Sequence, residues 1–347
     1  MNSLKIDYLK QLVFNAEQVS VLRLLGESRG KQTLFFKQSP EILNSLQLVA
    51  KVQSSESSNR LEGIELAHKK IEELVIQETI PKNRTEQEIA GYRDSLNLIH
   101  ESAKHMKFTT NVILQLHTVL YRYMPNPGGH WKASDNEIIE KHPDGSKRIR
   151  FKPTKAHLTP HAINQLTENY SYALEIVNYD PIILIPLAIL DFLCIHPFSD
   201  GNGRISRLLT LMLLYHFDYE VGRYISLERI FEESKESYYQ TLETSSVDWH
   251  KGKHNVNPWL NYFWGVLIRA YKELEDRVGV ITTSRGSKSQ LIQSAIDRRI
   301  GPFSINDIES DCPGTSREMI RNVLRKMRDK GLVKTSSSGR GAMWQKN

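Results

Sequence analysis

The stretch His196-Pro197-Phe198-Ser199-Asp200-Gly201-Asn202-Gly203-Arg204-Ile205-Ser206-Arg207 decides how the chain reads. Before it lies an apolar run, Ile182 to Ile195, broken only by Pro186 and Asp191, and after it Leu208-Leu209-Thr210-Leu211-Met212-Leu213-Leu214. Both runs read as buried helices. The first falls short of the roughly 20 apolar residues a membrane span needs. A polar loop held between two buried helices has a fixed geometry.

Each residue type in the loop has a chemical use. Gly201 and Gly203 let backbone N–H groups approach a ligand closely. They open a helix, whose unpaired N–H groups and dipole favour an anion, phosphate above all. Arg204 and Arg207 lie three apart on that helix and suit two phosphates with one anionic partner. Asp200 offers a hard oxygen ligand of the kind that holds Mg2+ together with phosphate oxygens. His196 is placed to take a proton from an attacking hydroxyl.

This loop resembles the signature of the Fic family: His, any residue, Phe, any residue, Asp or Glu, Gly-Asn-Gly-Arg, two residues, Arg. Every fixed position is met, and the resemblance extends over about residues 1–277. It implies a mainly helical enzyme that moves AMP from ATP onto a Ser, Thr or Tyr hydroxyl of a protein. His196 would then be the general base and Asp200 the Mg2+ ligand. Gly201, Asn202 and Gly203 would form the anion hole, with Arg204 and Arg207 gripping the outer phosphates.

Three further segments resemble parts of the same family. Ser58-Asn59-Arg60-Leu61-Glu62-Gly63 is similar to its inhibition motif, which implies that Glu62 pairs with Arg207 and denies it to ATP. In some inhibited members this Glu orients water for removal of AMP. The hairpin over 136–151 resembles the flap on which a target segment docks as an added strand. Trp131 there is followed by Lys132, where the family often has Arg. Lys235-Glu236-Ser237-Tyr238-Tyr239 resembles the wall against adenine, with Tyr238 or Tyr239 stacking on the base.

The rest of the 347 residues fits a mainly α protein of two or three domains. The first 50 residues read as short helices alternating with loops such as Glu27-Ser28-Arg29-Gly30. The polar stretch Ser54–Asn59 leads into an amphipathic pattern, and an inhibitory helix is expected over about 54–78. Thr85-Glu86-Gln87-Glu88 reads as a capping box. Further helices are expected near 110–123, 161–178, 181–195, 203–217, 234–245 and 257–277. The domains expected are 1–109, a catalytic core at 110–277 and a unit at 282–347. Cys194 and Cys312 are too few for a disulfide framework. The start, MNSLKIDYLKQLVFNAEQ, has no basic-then-apolar leader, so a soluble, cytoplasmic protein is expected, with no membrane partner.

Charge is uneven. Residues 282–347 carry 13 Lys/Arg against 6 Asp/Glu, and the remainder carries 33 against 34. Helices at 289–299, after Ser304 and at 316–330, followed by strands around 332–335 and 342–344, form a winged helix-turn-helix pattern. Arg317, Arg321, Arg325, Lys326, Arg328 and Lys330 on its last helix, with a wing near Arg340, suit DNA or a protein partner. Hence the alternative reading is a DNA-binding regulator whose Fic-like part senses nucleotide. A homodimer and a donor such as UTP also stay open.

Overall fold

The computed structural model describes residues 3–36, 40–141, 146–279, 287–297, 299, 301–312, 315–335 and 342–346. The N-terminal part is helical: α1 (Ile6–Leu9), α2 (Ala16–Phe36), α3 (Pro40–Leu61), α4 (His68–Ile76), α5 (Arg84–Ser102) and α6 (Thr110–Leu120). An antiparallel hairpin follows, β1 (Ile138–Lys141) with β2 (Lys147–Phe151). Then come α7 (Thr159–Glu175), α8 (Pro181–Ile195), α9 (Asn202–His216), α10 (Leu227–Glu233), α11 (Lys235–Ser246) and α12 (Asn257–Gly279). The last part holds α13 (Ser287–Asp297), β3 (Phe303–Ser304), α14 (Ile305–Asp311), α15 (Arg317–Asp329), β4 (Val333–Thr335) and β5 (Met343–Lys346). Its three strands lie antiparallel in the order β3-β5-β4.

The helix that delivers the loop, α8, is buried along most of its length. Asp180 caps it, accepting from the Ile182 N–H at 2.9 Å, and Pro181 follows where a missing N–H costs nothing. Pro186 strips the Ile182 carbonyl of its helical donor. The Trp264 indole N–H replaces it at 3.0 Å, while the Trp259 indole N–H binds the Pro186 carbonyl at 2.8 Å. Burial pushes the Asp191 carboxyl up. It is satisfied by the Ser3 N–H and hydroxyl and by the Trp249 indole N–H. These bonds offset the cost of burying a carboxylate and tie two distant segments to α8.

One apolar core runs from Leu4 to Val278 and takes in residues on both sides of position 109. A separate core joins Ile292, Phe303, Ile308, Ile320, Leu324, Val333 and Trp344. Among the described residues no helix is long and apolar enough to cross a membrane. Cys194 and Cys312 are both buried thiols that are not joined in a disulfide.

Several local expectations need correcting. Residues 27–30 are not a loop: α2 passes through them without a break. The polar stretch Ser54–Asn59 is also helical, the last turns of α3, with Ser54, Ser55, Ser58 and Asn59 buried. Short hydroxyls let α3 pack closely, and the Ser54 hydroxyl bonds the buried Glu228 carboxylate at 2.7 Å. The expected helix over 54–78 is interrupted. α3 ends at Leu61, and the chain turns before α4 starts at His68. The cap of α5 is Asn83, not Thr85, and the Glu86 carboxylate accepts from the Lys82 N–H and the Asn83 side chain. In the C-terminal unit, Phe303–Ser304 adds a strand that its two-residue length hid. Of the small, polar segment 282–288, expected from its composition to be a linker, residues 282–286 lie outside the described residues, as does the expected wing over 336–341 with Arg340, while Ser287 and Lys288 open α13.

Candidate active site

His196 ends α8 in the left-handed region, with φ 51° and ψ 62°. That conformation is unusual for a residue with a side chain and marks a constrained position. Its Nδ1 lies 3.2 Å from the Leu193 carbonyl oxygen. An oxygen there can only accept, so Nδ1 carries the hydrogen and Nε2 keeps its lone pair. Burial, aided by the nearby Lys132 charge and opposed by the Leu193 bond, pushes the imidazole down to about 4. At neutral pH it is therefore an unprotonated base.

Five residues on, Gly201 takes φ 80° and caps α9. A side chain at 201 would press on the Tyr121 ring. The Asn202 side chain folds back, accepting from the Phe198 N–H at 2.9 Å and donating to the Phe198 carbonyl at 2.8 Å. It staples the loop between Phe198 and Asn202. Asp200 is exposed and accepts from the Gly201 N–H at 2.7 Å. Burial raises its carboxyl, but Arg204, the Tyr121 hydroxyl and the Gly201 N–H outweigh this and hold it below the ordinary value. The described residues contain no cluster of three or more metal-ligating side chains. One ionised carboxylate beside an anion site is the donor set that fits Mg2+ only with phosphate oxygens completing its shell.

Arg207 is buried and triply held. Its Nε donates to the Ser58 hydroxyl at 2.8 Å, and Nη2 donates to the Ser58 carbonyl at 2.8 Å and to Glu62 Oε1 at 2.7 Å. Glu62 reaches it because α3 closes in a Schellman motif: the Gly63 N–H bonds the Arg60 carbonyl and the Ile64 N–H bonds the Asn59 carbonyl, both at 3.0 Å. Gly63 takes the φ of 79° that this closure requires. Glu62 thus caps the C-terminus of α3, just past Leu61, and is not part of a helix start. Its carboxylate lies over Gly203, where any side chain would collide with it. It occupies the anion position at the α9 N-terminus.

Arg204 departs from expectation. It is not among the residues lining the cavity. It is buried behind the loop, donating to Glu88 Oε2 at 2.8 Å and to the Tyr121 hydroxyl at 3.2 Å, with Asp200 Oδ2 at 3.6 Å. The cause is the packing of α9 against α5, which supplies a buried carboxylate on that side.

The cavity holds about 700 Å³ and is lined by His196, Asp200, Gly201, Asn202, Gly203, Arg207, Glu62, Tyr238 and Tyr239. Tyr238 is largely core, and Tyr239 is partly exposed with its hydroxyl on the Leu61 carbonyl at 3.2 Å. Ser58 stands behind Arg207, and Gly63 forms the turn that follows Glu62. The hairpin reaches the cavity through Ile138, Ile139 and Arg150. Ile138 pairs with Phe151 but Ile139 with Ile149, so Arg150 is the extra residue of a bulge. A bulge re-aims its side chain. Arg150 lies over the Tyr239 ring, 5.5 Å from its centre, and pairs with Glu243 at 3.1 Å.

Sequence reasoning missed Arg150, Glu88, Tyr121 and His117. His117 stacks on Phe198, ring centres 3.7 Å apart and planes 3° from parallel. Only the apolar spacing of α6 hinted at its inward face.

Solved structures share this fold. A Fic family protein from Desulfovibrio desulfuricans G20 is similar over 97% of both chains, at 18% identity and TM-score 0.62. A Fic domain containing signaling protein from Bacteroides thetaiotaomicron VPI-5482 matches 72% of this chain and 94% of its own, at 23% identity and TM-score 0.60. Fic-1 from C. elegans matches 78% of this chain and 74% of its own, at 18% identity and TM-score 0.59. Residues 107–214, which carry α6 to α9 and the loop between the last two, match the Fic/DOC family and form a domain of that family.

Proposed function

We propose that this protein is a protein adenylyltransferase that transfers AMP from ATP to a Ser, Thr or Tyr hydroxyl and is restrained by Glu62. One observation carries the reading: an unprotonated His196 Nε2 shares a cavity with a helix N-terminus whose anion position is filled by the protein's own Glu62 carboxylate. In this reading the triphosphate lies along the α9 N-terminus. Asp200 holds Mg2+, which supplies charge neutralisation for the phosphates. The acceptor oxygen bonds the α-phosphorus, the bond to pyrophosphate breaks, and His196 takes the hydroxyl proton. Arg207 meets the outer phosphates once Glu62 releases it. Arg204, bound to Glu88, positions the loop from behind. Tyr238 and Tyr239 flank the base, and a target strand adds to the 136–151 hairpin.

The test uses ATP labelled at the α- or γ-phosphate. Glu62→Gly should transfer α-label, not γ-label, to protein, and His196→Ala in the same background should abolish it. Absence of α-label transfer in Glu62→Gly, with candidate substrates and lysate supplied, contradicts the reading.

The alternative, a DNA-binding regulator that senses nucleotide, draws on α15. Arg317, Arg321, Arg325, Lys326 and Arg328 are exposed there and Lys330 just past its end, while Ile320, Val323, Leu324 and Met327 are buried in the second core. A winged-helix unit with that face outward suits phosphate contacts, whose affinity falls steeply with salt. A salt-sensitive gel shift together with no label transfer favours this reading.

A further inference from the structure

The carbonyl groups of the loop are tied back on one side. Lys132 Nζ donates to the Ile195 carbonyl at 3.1 Å, and the Lys132 backbone N–H donates to the Pro197 carbonyl at 2.9 Å. Asn136 Nδ2 donates to the Phe198 carbonyl at 3.2 Å and, more weakly, to the His196 carbonyl at 3.4 Å. Asn136 is itself oriented by Lys132 Nζ, which donates to its Oδ1 at 2.7 Å. At the far end, the Gly129 N–H donates to His117 Nδ1 at 2.8 Å. Nε2 of His117 therefore carries the hydrogen and donates to the Asp200 carbonyl at 3.2 Å.

In a trans peptide the C=O and the next N–H point opposite ways. Holding the Asp200 carbonyl toward His117 turns the Gly201 N–H the other way, where Asp200 Oδ1 receives it. The carbonyls on both sides of the His196 N–H and Cα are held by Lys132 and Asn136, where His196 takes its left-handed conformation and lines the cavity.

Lys132 is the costly member of this set. It is buried, and its ammonium bonds only neutral oxygens among the described contacts. A buried ammonium without a carboxylate bonded to it is unfavourable. Burial, opposed by Asp135, pushes it down to about 8, so it stays largely charged at neutral pH. The loop carbonyls are what its charge serves.

We infer that Lys132, Asn136 and His117 are positioning residues that hold the Ile195, His196, Pro197, Phe198 and Asp200 carbonyls away from the cavity, so that the loop turns the N-terminus of α9 and the His196 imidazole toward a phosphate. The inference deepens the adenylyltransferase reading and rests on it for the activity readout alone.

The experiment compares Lys132→Met, Lys132→Arg and Asn136→Ala in the Glu62→Gly protein. For Lys132→Met, kcat should fall at least ~tenfold while KM for ATP moves less than ~threefold. Lys132→Arg, which can donate to the same two oxygens, should recover most of the rate. A second readout needs no turnover: the Gly201 and Gly203 amide resonances of selectively labelled protein, titrated with pyrophosphate and Mg2+. They should shift in Glu62→Gly and in Lys132→Arg, and lose most of that shift in Lys132→Met and Asn136→Ala. If Glu62→Gly transfers no AMP, the adenylyltransferase reading fails and the amide titration still decides this one. Folded variants with unchanged kcat and unchanged amide response overturn the inference. So does a Lys132→Met protein that fails to fold while Asn136→Ala behaves as its parent.

Discussion

The two sides of the first two turns of α9 face different neighbours. On the α5 side, Arg204 is paired with Glu88, and both side chains are nearly inaccessible, at 1% and 8% exposure. On the α3 side, Arg207 is equally buried at 2%, but its partner Glu62 is 30% exposed and stands at a helix end. The first pair is part of the core. The second joins a buried cation to a carboxylate at the mouth of the cavity. An acid at a helix C-terminus is opposed by that helix's own dipole, so Glu62 is held by Arg207 and the α9 N-terminus rather than by α3. The same arginine chemistry thus makes a closed core pair on one side and a pair open to the cavity on the other.

The strongest way to break this contrast is Glu88→Ala. It leaves the Arg204 guanidinium buried without its carboxylate and should cost about 3–5 kcal/mol of stability, read by urea unfolding. A cost below about 1 kcal/mol would erase the distinction between the two sides.

Glu62→Gly should be much milder, about 1 kcal/mol, because its carboxylate is partly solvated and Arg207 keeps both Ser58 acceptors. The contrast sharpens on adding Mg2+ and ATP. The melting temperature of Glu62→Gly should rise, since binding stabilises the folded form, and that of the unchanged protein should rise less.

The pH dependence is smaller over the useful range. The His196 imidazole is lowered from 6.5 to about 4, so its neutral, proton-accepting form persists on acidification down to that point. Label transfer by Glu62→Gly should change less than ~threefold between pH 8 and 5, then fall toward pH 4. A fall centred near 6.5 would mean the imidazole is solvated.

Ser58→Ala should have the least effect. It removes one acceptor from Arg207 and leaves Glu62 in place, loosening the restraint by about 1 kcal/mol. Label transfer by the otherwise unchanged protein should rise by less than ~tenfold.

How legible this was follows from where partners sit along the chain. His196, Asp200, Gly201 and Arg207 lie within twelve residues, so their chemistry could be reasoned from one window. The Ser58–Glu62 segment was readable because it resembles a known motif, though its place at a helix end was not. A capping glycine and a buried serine face look the same as a polar loop when neighbours are unknown. The neighbour α5 determines that Arg204 turns inward, and Glu88 lies 116 residues away from it. Lys132, Asn136 and His117 carry no pattern of their own, since their role is defined by carbonyls that only folding brings to them. Helix bounds were clearest where Pro181 or Asn257 starts an apolar face, and poorest in α2, whose glycines at 26 and 30 simulate breaks.

The most direct test is a crystal structure of Glu62→Gly with Mg2+ and a non-hydrolysable ATP analogue. The account predicts the triphosphate along the α9 N-terminus, its α-phosphorus facing His196 Nε2, Mg2+ on Asp200 and the outer phosphate on Arg207. Density for the nucleotide elsewhere, or an empty cavity at saturating analogue with Arg207 still packed on Ser58, would contradict it.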